Sequence, residues 1–543
     1  MDNMEQKVNS FIGKKLLDML MFSMYPDAKI IYREYVQNAF DSIRKAVKEG
    51  VLKKVKDGIV SIKIDSQTRT VVIKDNGIGI PVDYSLKILT SVADSQKDGF
   101  EQAGVYGIGR LVGAGYCERL EFRTSSVGEP LASIISFDVN ETRKILDNKN
   151  DHRSATEVMN SIVSWETVEE EIDSHYFKVT LHNVKKDYPI LLSEEDIIEY
   201  LKEVAPIDYE LPFKNNIMFT SIDVDSEFDE LQRGLGIIKL SVNNHLDIRK
   251  RYGNKVIGTN DEIVGLQYFS LEDEYFGQLA WGWFAITKFS KAIPAIDSNR
   301  CIRLRKLNIQ IGEANYLNEF FDEARGNNYF YGEIHAVHEN LRPNTSRAGL
   351  TPTVEANIFF KKLKEYFKEL KVLYNLANKA KIAARDIAAA SAKINKDGLT
   401  ETERKEAHAD LTSGKKKFES ATKSIVNKTT SQGKAAVKIL EQYKTDIDNS
   451  VLDKKNKPIS DVLNLNLDDN NTKDYPQGKK TLEVQEPTLS TPKDLLAPLT
   501  TKFPKEQLWI IRKIFKSLTD NCPKGQLMLI EDLKKLVIKD LER

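Results

Sequence analysis

Between Pro352 and Pro458 the chain runs without a single proline and is rich in Ala, Lys, Glu and Leu, a composition that suits long helices and little else. From Thr353 to Asn449 a helical, coiled-coil-like segment is therefore expected, broken near Lys396-Asp397-Gly398, where a turn separates two arms. The text before it differs in kind. Helix-period patterns over 12–24 and 29–49 alternate with strand-like runs at 60–65, 70–75, 120–126 and 177–184, which defines an α+β fold. A second mixed region follows, with strand-like runs at 236–242, 284–289, 302–312 and 330–337. Residues 450–503 are polar and proline-rich and read as a linker. Residues 504–543 read as two short amphipathic helices, too small to bury a core of their own and suited to pairing with a second copy. The expected organisation is 1–205, 206–352, 353–449, 450–503 and 504–543.

Charge is balanced overall, with 80 Lys plus Arg against 80 Asp plus Glu in 543 residues, so the whole chain is not a polycation built for nucleic acid. Its distribution is uneven: 361–440 carries 19 basic and 9 acidic residues, whereas 1–360 has a net charge of −11. Cys117, Cys301 and Cys522 are far apart and form no CxxC pair, which argues against a disulfide framework or a zinc site. No basic start followed by an apolar run is seen, and no window is apolar enough to span a membrane. A cytoplasmic protein is expected.

Three short segments carry chemistry. In KIIYREYVQNAFDSIRKA (29–46), Glu34, Asn38 and Asp41 stand at i, i+4 and i+7, so one stripe of a helix presents carboxylate, carboxamide and carboxylate. A solvated helix face is the plain alternative. In VVIKDNGIGIP (71–81), a buried-type strand ends at Asp75, and Gly77 and Gly79 follow where the chain turns closely past something; Asn-Gly alone would mark a hairpin. An Asp at such a strand end can accept a hydrogen bond from an exocyclic amine such as that of adenine. In GVYGIGRLVGAG (104–115), Gly104, Gly107 and Gly109 precede a helix expected from Ile108 onward, where backbone N–H groups and the helix dipole favour phosphate. The polar segment 82–103 before it has the composition of a lid.

Taken together, ExxxNAxD, DxGxG and GxxGxG, in this order, resemble the GHKL (Bergerat-fold) ATPase superfamily, which includes DNA gyrase B subunits, histidine kinases, MutL and MORC proteins and the ninety-kilodalton heat-shock chaperones. At ENLRPNTSRAGL (339–350), Asn344, Ser346 and Arg347 look like the Asn-x-Ser-Arg catalytic loop of the chaperones' middle domain, and the Arg33-Glu34 pair also matches them. The resemblance, closest to a divergent bacterial chaperone of this family, covers about 8–360 and departs at Tyr176-Phe177, at Thr351 and in the C-terminal third.

What the resemblance implies is an N-terminal Bergerat ATP-binding sandwich, a middle domain carrying a catalytic arginine, and a dimeric clamp that hydrolyses ATP slowly with Mg²⁺. Glu34 would activate water, Asn38 would hold the metal ion, and Asp75 with Gly77 and Gly79 would receive adenine. Gly104, Gly107 and Gly109 would cradle the phosphates, with Lys97 on the lid as a weaker phosphate contact, and Arg347 would steady the γ-phosphate. The partners implied are a second copy and an unidentified client protein. A second reading is a DNA-acting clamp resembling MORC or MutL, in which the basic helices of 361–440, densest at Lys415, Lys416 and Lys417, hold the phosphate backbone. Phe418 is the lone stacking aromatic in 376–440, which weighs against it. A non-hydrolysing scaffold is disfavoured by Glu34. A histidine kinase is disfavoured because His408 lies after the ATPase region.

Overall fold

The computed structural model describes residues 12–22, 27–91, 109–218, 226–426 and 431–451. Lys97, Gly104 and Gly107, the linker and the C-terminal tail lie outside the described residues.

Two sheets and a group of long helices make up the described chain. The first sheet contains β1 (Ile59–Asp65), β2 (Thr70–Asp75), β3 (Arg119–Ser125), β4 (Leu131–Asp138), β5 (Val163–Glu169), β6 (Tyr176–His182) and β7 (Lys239–Val242), in the order β5-β4-β3-β6-β2-β1-β7. Helices α1 (Lys15–Phe22), α2 (Ile30–Lys48), α3 (Val82–Thr90), α4 (Val139–Asp147), α5 (Ala155–Ile162) and α6 (Glu194–Val204) accompany it. The four strands expected from alternation are present. Edge strand β5 is almost wholly exposed apart from Val163 and Val168, so it lacks the half-buried alternation by which a strand is read from sequence. Strand β7, from beyond residue 205, pairs in parallel with β1 (Ile59↔Lys239 to Ile62↔Val242) and adds Leu240 and Val242 to the first core.

Around the glycine-rich segments two details differ from expectation. The first nine residues of the lid-like segment form α3, with Ser85 and Leu89 turned inward at i and i+4. Gly109–Gly115 winds as 3₁₀ turns rather than the α-helix expected there, since three glycines in seven residues give the α-helix little to gain from side chains.

After α7 (Ser226–Arg233), the second sheet is built from β8 (Gly265–Asp273), β9 (Gly277–Ile286), β10 (Cys301–Lys306), β11 (Ile309–Ile311) and β12 (Tyr331–Ala336), in the order β11-β10-β12-β9-β8. The run read as one strand over 302–312 is a hairpin, turned at Leu307 and Asn308, both at positive φ. Alternation divides β9 between two cores: Ala280, Phe284 and Ile286 face the long helices, whereas Trp281, Trp283 and Ala285 join the opposite cluster. Those helices are α8 (Val354–Ile394), α9 (Glu401–Val426) and α10 (Ser431–Val451). Thr353 caps α8 by accepting from the Ala356 N–H. Large residues such as Phe359, Leu363 and Phe367 pack on the sheet, and alanines farther along let α9 approach so closely that a side chain at Gly414 would sit 2.8 Å from Ile387. The expected break is present, with Gly398 at φ +84, and a second break before Ser431 makes three helices of the two expected arms.

A buried charge network joins the two sheets. Glu333 on β12 meets Lys250 at 2.9 Å and Arg305 at 2.8 Å, and accepts from the Tyr209 hydroxyl at 2.6 Å. Burial alone would push the Glu333 carboxyl up, but the two cations hold it well below the carboxylate range. Arg305 also donates to the Glu203 carbonyl at 2.8 Å, Arg303 pairs with the Glu203 carboxylate at 3.2 Å, and Asn308 donates to the Gly236 carbonyl at 3.1 Å. Removing one partner of such a buried group leaves uncompensated charge. Glu333→Gln is expected to lower stability by about 3–5 kcal/mol in urea unfolding.

Candidate functional site

Helix α2 carries its apolar residues Ile31, Tyr32, Tyr35, Val36, Ala39, Phe40 and Ile43 into the first core. Its polar stripe is not a solvated face: Glu34 and Asp41 are only 6% and 5% exposed. Burying a carboxylate is costly unless charge or hydrogen bonds compensate it. Glu34 meets Arg347 at 3.4 Å and Arg33 at 3.6 Å, and a side chain added at Gly109 would lie 2.6 Å from Glu34 Oε2. Gly109 is thus the one member of the glycine triplet among the described residues, and it stands against the candidate base.

The Asn-x-Ser-Arg loop has a built geometry. The Asn344 N–H donates to the Gly349 carbonyl at 2.9 Å, the Arg347 N–H to the Asn344 carbonyl at 3.0 Å, and the Gly312 N–H to the Arg347 carbonyl at 2.8 Å. The Ser346 hydroxyl donates to Asn344 Oδ1 at 3.3 Å. These bonds hold Arg347 at φ +55, a backbone conformation that non-glycine residues occupy only where surroundings impose it. Arg33 reaches the Ser346 carbonyl at 3.4 Å, so α2 contacts the loop twice. Thr351 donates from its hydroxyl to the Pro343 carbonyl at 3.3 Å, at the base of the loop. Glu34 Oε1 and Arg33 Nε are buried without a hydrogen bond, polar atoms that a phosphate or its attacking water could satisfy.

At the other end of the stripe, Asp75 closes β2 and is buried. Its Oδ1 accepts from the Gly77 N–H at 2.7 Å, Phe177 pairs with Asp75 across β2 and β6, and Ser42 packs against the same glycine turn. Burial, only partly offset by the Gly77 N–H, the neighbouring polar groups and Lys74, raises the carboxyl to about 7. Gly79 has φ +70, and a Cβ there would come within 1.8 Å of the Ser125 carbonyl oxygen; only glycine fits. The Ile80 N–H is held by the Thr124 hydroxyl at 2.8 Å, and that hydroxyl donates to the Tyr176 carbonyl at 3.0 Å. The Asn-Gly step therefore leads into α3 and not into a hairpin.

Glu34, Gly109 and Arg347 come together, as do Asp75 and Gly77, and Asn38 lies between the two groups on α2. Sequence reasoning missed Ser42, although its i+8 spacing from Glu34 was a readable signal. It also missed Tyr35, whose hydroxyl donates to the Arg110 carbonyl and accepts from the Gly113 N–H, both at 3.0 Å; an apolar-face tyrosine gave no such signal. Among the described residues no cluster of three or more His, Cys, Asp or Glu could hold a metal ion, and no helix is long and apolar enough to cross a membrane. Cys117 and Cys301 are free and buried.

Residues 29–169, which include α2 to α5 and β1 to β5, match the family of histidine kinase-, DNA gyrase B- and HSP90-like ATPases. The similarity is to the chaperone protein HtpG: 29% identity over 140 residues with that of Mycolicibacterium vanbaalenii, 22% of each chain; 30% over 140 residues with that of Clostridium perfringens, 23% of this chain and 22% of the relative; and 35% over 95 residues with that of Chlorobium luteolum, 17% and 15%. The chain is a divergent, HtpG-like GHKL protein in this segment, and the match spans less than a quarter of those relatives' length.

The raised Asp75 carboxyl gives a signed pH effect. Its folded value near 7 lies above an unfolded value near 3.8, so protonation favours the folded state. Its contribution is largest below about pH 4 and declines as pH rises toward 7. Asp75→Asn is expected to flatten this decline, raising thermal stability at pH 8 by up to about 4 kcal/mol, while weakening binding of an adenine nucleotide, read by calorimetry.

Proposed function

We propose that the chain is an ATP-driven, slowly hydrolysing dimeric clamp of the heat-shock chaperone type. The observation that carries this reading is the buried meeting of Glu34 with Arg347, 3.4 Å apart, on the helix whose Ser42 packs against the glycine turn after Asp75. Asp75 receives the adenine amino group, with Gly79 allowing the close backbone approach. Glu34 orients the attacking water and takes its proton, since a carboxylate is a suitable base once a water is held against it. Arg347 steadies negative charge on the γ-phosphate, a planar donor set suited to that task. Asn38 supplies a neutral oxygen on the same stripe, fit to complete the coordination of a Mg²⁺ that phosphates and waters otherwise hold. Bound there, the ion would neutralise charge developing on the phosphates. Lys97, Gly104 and Gly107 are proposed phosphate contacts, and 82–103 the lid.

Glu34 is engaged by Arg33 and Arg347, so the γ-phosphate of ATP has to compete with the carboxylate for the Arg347 guanidinium. A slow enzyme follows from that competition. The clamp's second copy and its client are part of the same proposal, as is a cytoplasmic setting.

One observation favours the second reading, a DNA-acting clamp. A groove of about 950 Å³ between α8 and α9 is lined by Lys379, Lys416, Lys417 and His408, with Thr412 and Ser413 beside them. Lys417 is tied to Asp386 at 2.9 Å, which lowers its worth as a phosphate contact.

Steady-state hydrolysis tests both. Glu34→Ala is expected to lower kcat by about 10²–10⁴-fold and Arg347→Ala by about 10³-fold, each with ATP still bound. A non-hydrolysable analogue is expected to compact a dimer in solution scattering. An Arg347→Ala enzyme with undiminished turnover would remove the loop from the mechanism. Stimulation by duplex DNA that disappears at higher salt would favour the second reading.

A further inference from the structure

Tyr35 follows the candidate base directly on α2 and is only 3% exposed. Its ring lies in the first core with Tyr32 and Val36, yet its hydroxyl makes two hydrogen bonds to backbone outside the helix. It donates to the Arg110 carbonyl and accepts from the Gly113 N–H, each at 3.0 Å. These groups stand at i and i+3, the carbonyl and N–H that a 3₁₀ turn pairs with each other. One hydroxyl therefore spans a turn of the Gly109–Gly115 segment. Burial raises the phenol well above its ordinary pKa, so the proton needed for the bond to Arg110 is kept.

The segment is fitted closely to that hydroxyl. A Cβ on Gly113 would be 2.5 Å from the Tyr35 oxygen, so glycine at this position lets the hydroxyl reach the backbone. The Gly113 carbonyl accepts from the Tyr116 N–H at 3.0 Å and from Cys117 Sγ at 3.3 Å. Arg110 is anchored a second time, its guanidinium donating to the carbonyl of Ser91 just past α3. Leu111 and Val112 bury their side chains in the first core, but apolar burial has no direction and does not by itself orient a peptide. The Tyr35 hydroxyl does. Gly109, directly before the tied turn, comes so near the base that a Cβ there would lie 2.6 Å from Glu34 Oε2. Glu34 and Tyr35 are consecutive on one buried helix, so the base and the strap on the backbone facing it share a rigid element.

We propose that Tyr35 is a positioning residue of the ATPase site: its hydroxyl, bonded across the Arg110–Gly113 turn, fixes the Gly109 backbone against Glu34, so that a phosphate held there is kept at the distance from the carboxylate that hydrolysis needs. This deepens the ATPase reading and rests on it. Tyr35 touches no reacting atom and acts through the glycine segment alone. Its contribution is therefore to rate, because misplacing reacting groups by about 1 Å costs up to about 10²-fold.

The test uses the full chain and Tyr35→Phe, which keeps the ring and removes both hydrogen bonds. Amide hydrogen exchange over 110–116 is followed by mass spectrometry without nucleotide, ATP affinity by calorimetry, and turnover at a temperature where circular dichroism shows each variant folded. The expected result is faster exchange over 110–116 and a kcat lowered about 10- to 100-fold with ATP affinity unchanged. A second variant, Gly113→Ala in the Tyr35→Phe background, separates bonding from packing. Its methyl takes part of the space of the lost hydroxyl and restores neither bond, so kcat is expected to stay low. Recovery of kcat in that double variant assigns the effect to packing and overturns the inference. Unchanged exchange, or an undiminished kcat in Tyr35→Phe while the wild-type chain turns over ATP, overturns the positioning role alone. A wild-type chain that hydrolyses no ATP overturns the ATPase reading and the positioning role with it.

Discussion

Glu34 and Arg347 are separated by most of the described chain, yet their charges meet in a space from which water is nearly excluded. Neither charge tolerates burial alone, because the loss of hydration costs several kcal/mol per ion. The pairing therefore constrains everything that positions either partner. Helix α2 must be sunk into the first core, the Asn344–Gly349 turn must hold Arg347 at positive φ, and the two sheets must stay docked so that loop and helix coincide. The network around Glu333 meets that last demand, with Arg303, Arg305 and Asn308 reaching across from the β10–β11 hairpin to Glu203 and Gly236.

The same helix relates the two ends of the site. Glu34 faces the arginine loop and Gly109; Ser42, two turns on, packs against the glycine turn after Asp75. A rigid helix fixes the distance between them at roughly 1.5 Å per residue, so the spacing of residues in one short segment sets the separation between the base-reading end and the reacting end. Glycine at 77, 79 and 109 then has a physical cause at each place: the Ser42 side chain, the Ser125 carbonyl and the Glu34 carboxylate occupy the room a Cβ would take.

Much of this was legible in the sequence. Helical spacing placed Glu34, Asn38 and Asp41 on one stripe, the end of β2 placed Asp75, and the proline-free stretch announced the long helices. What the sequence left ambiguous was whether the stripe faced solvent. An isolated helix gives the same pattern in either case, and only the second element packed over Glu34 decides it. Strand β5 was missed because its residues are nearly all exposed and so carry no burial pattern, and the β10–β11 turn because Leu307-Asn308 lacks the glycine that marks most tight hairpins.

The sequence by itself determined the residue types and the local geometry that chemistry needs: a carboxylate, a carboxamide and a hydroxyl at helical spacing, a strand ending in Asp75, and a short loop ending in Arg347. Those follow from periodicities of a few residues. Tertiary structure decided which of them touch. It brought Arg347 onto Glu34, set Ser42 against Gly77, and added β7 to a sheet begun nearly 180 residues earlier, as Asn243 shows by accepting from the Ile64 N–H, 179 positions away. Contacts of that range depend on how whole cores pack, which no local pattern encodes.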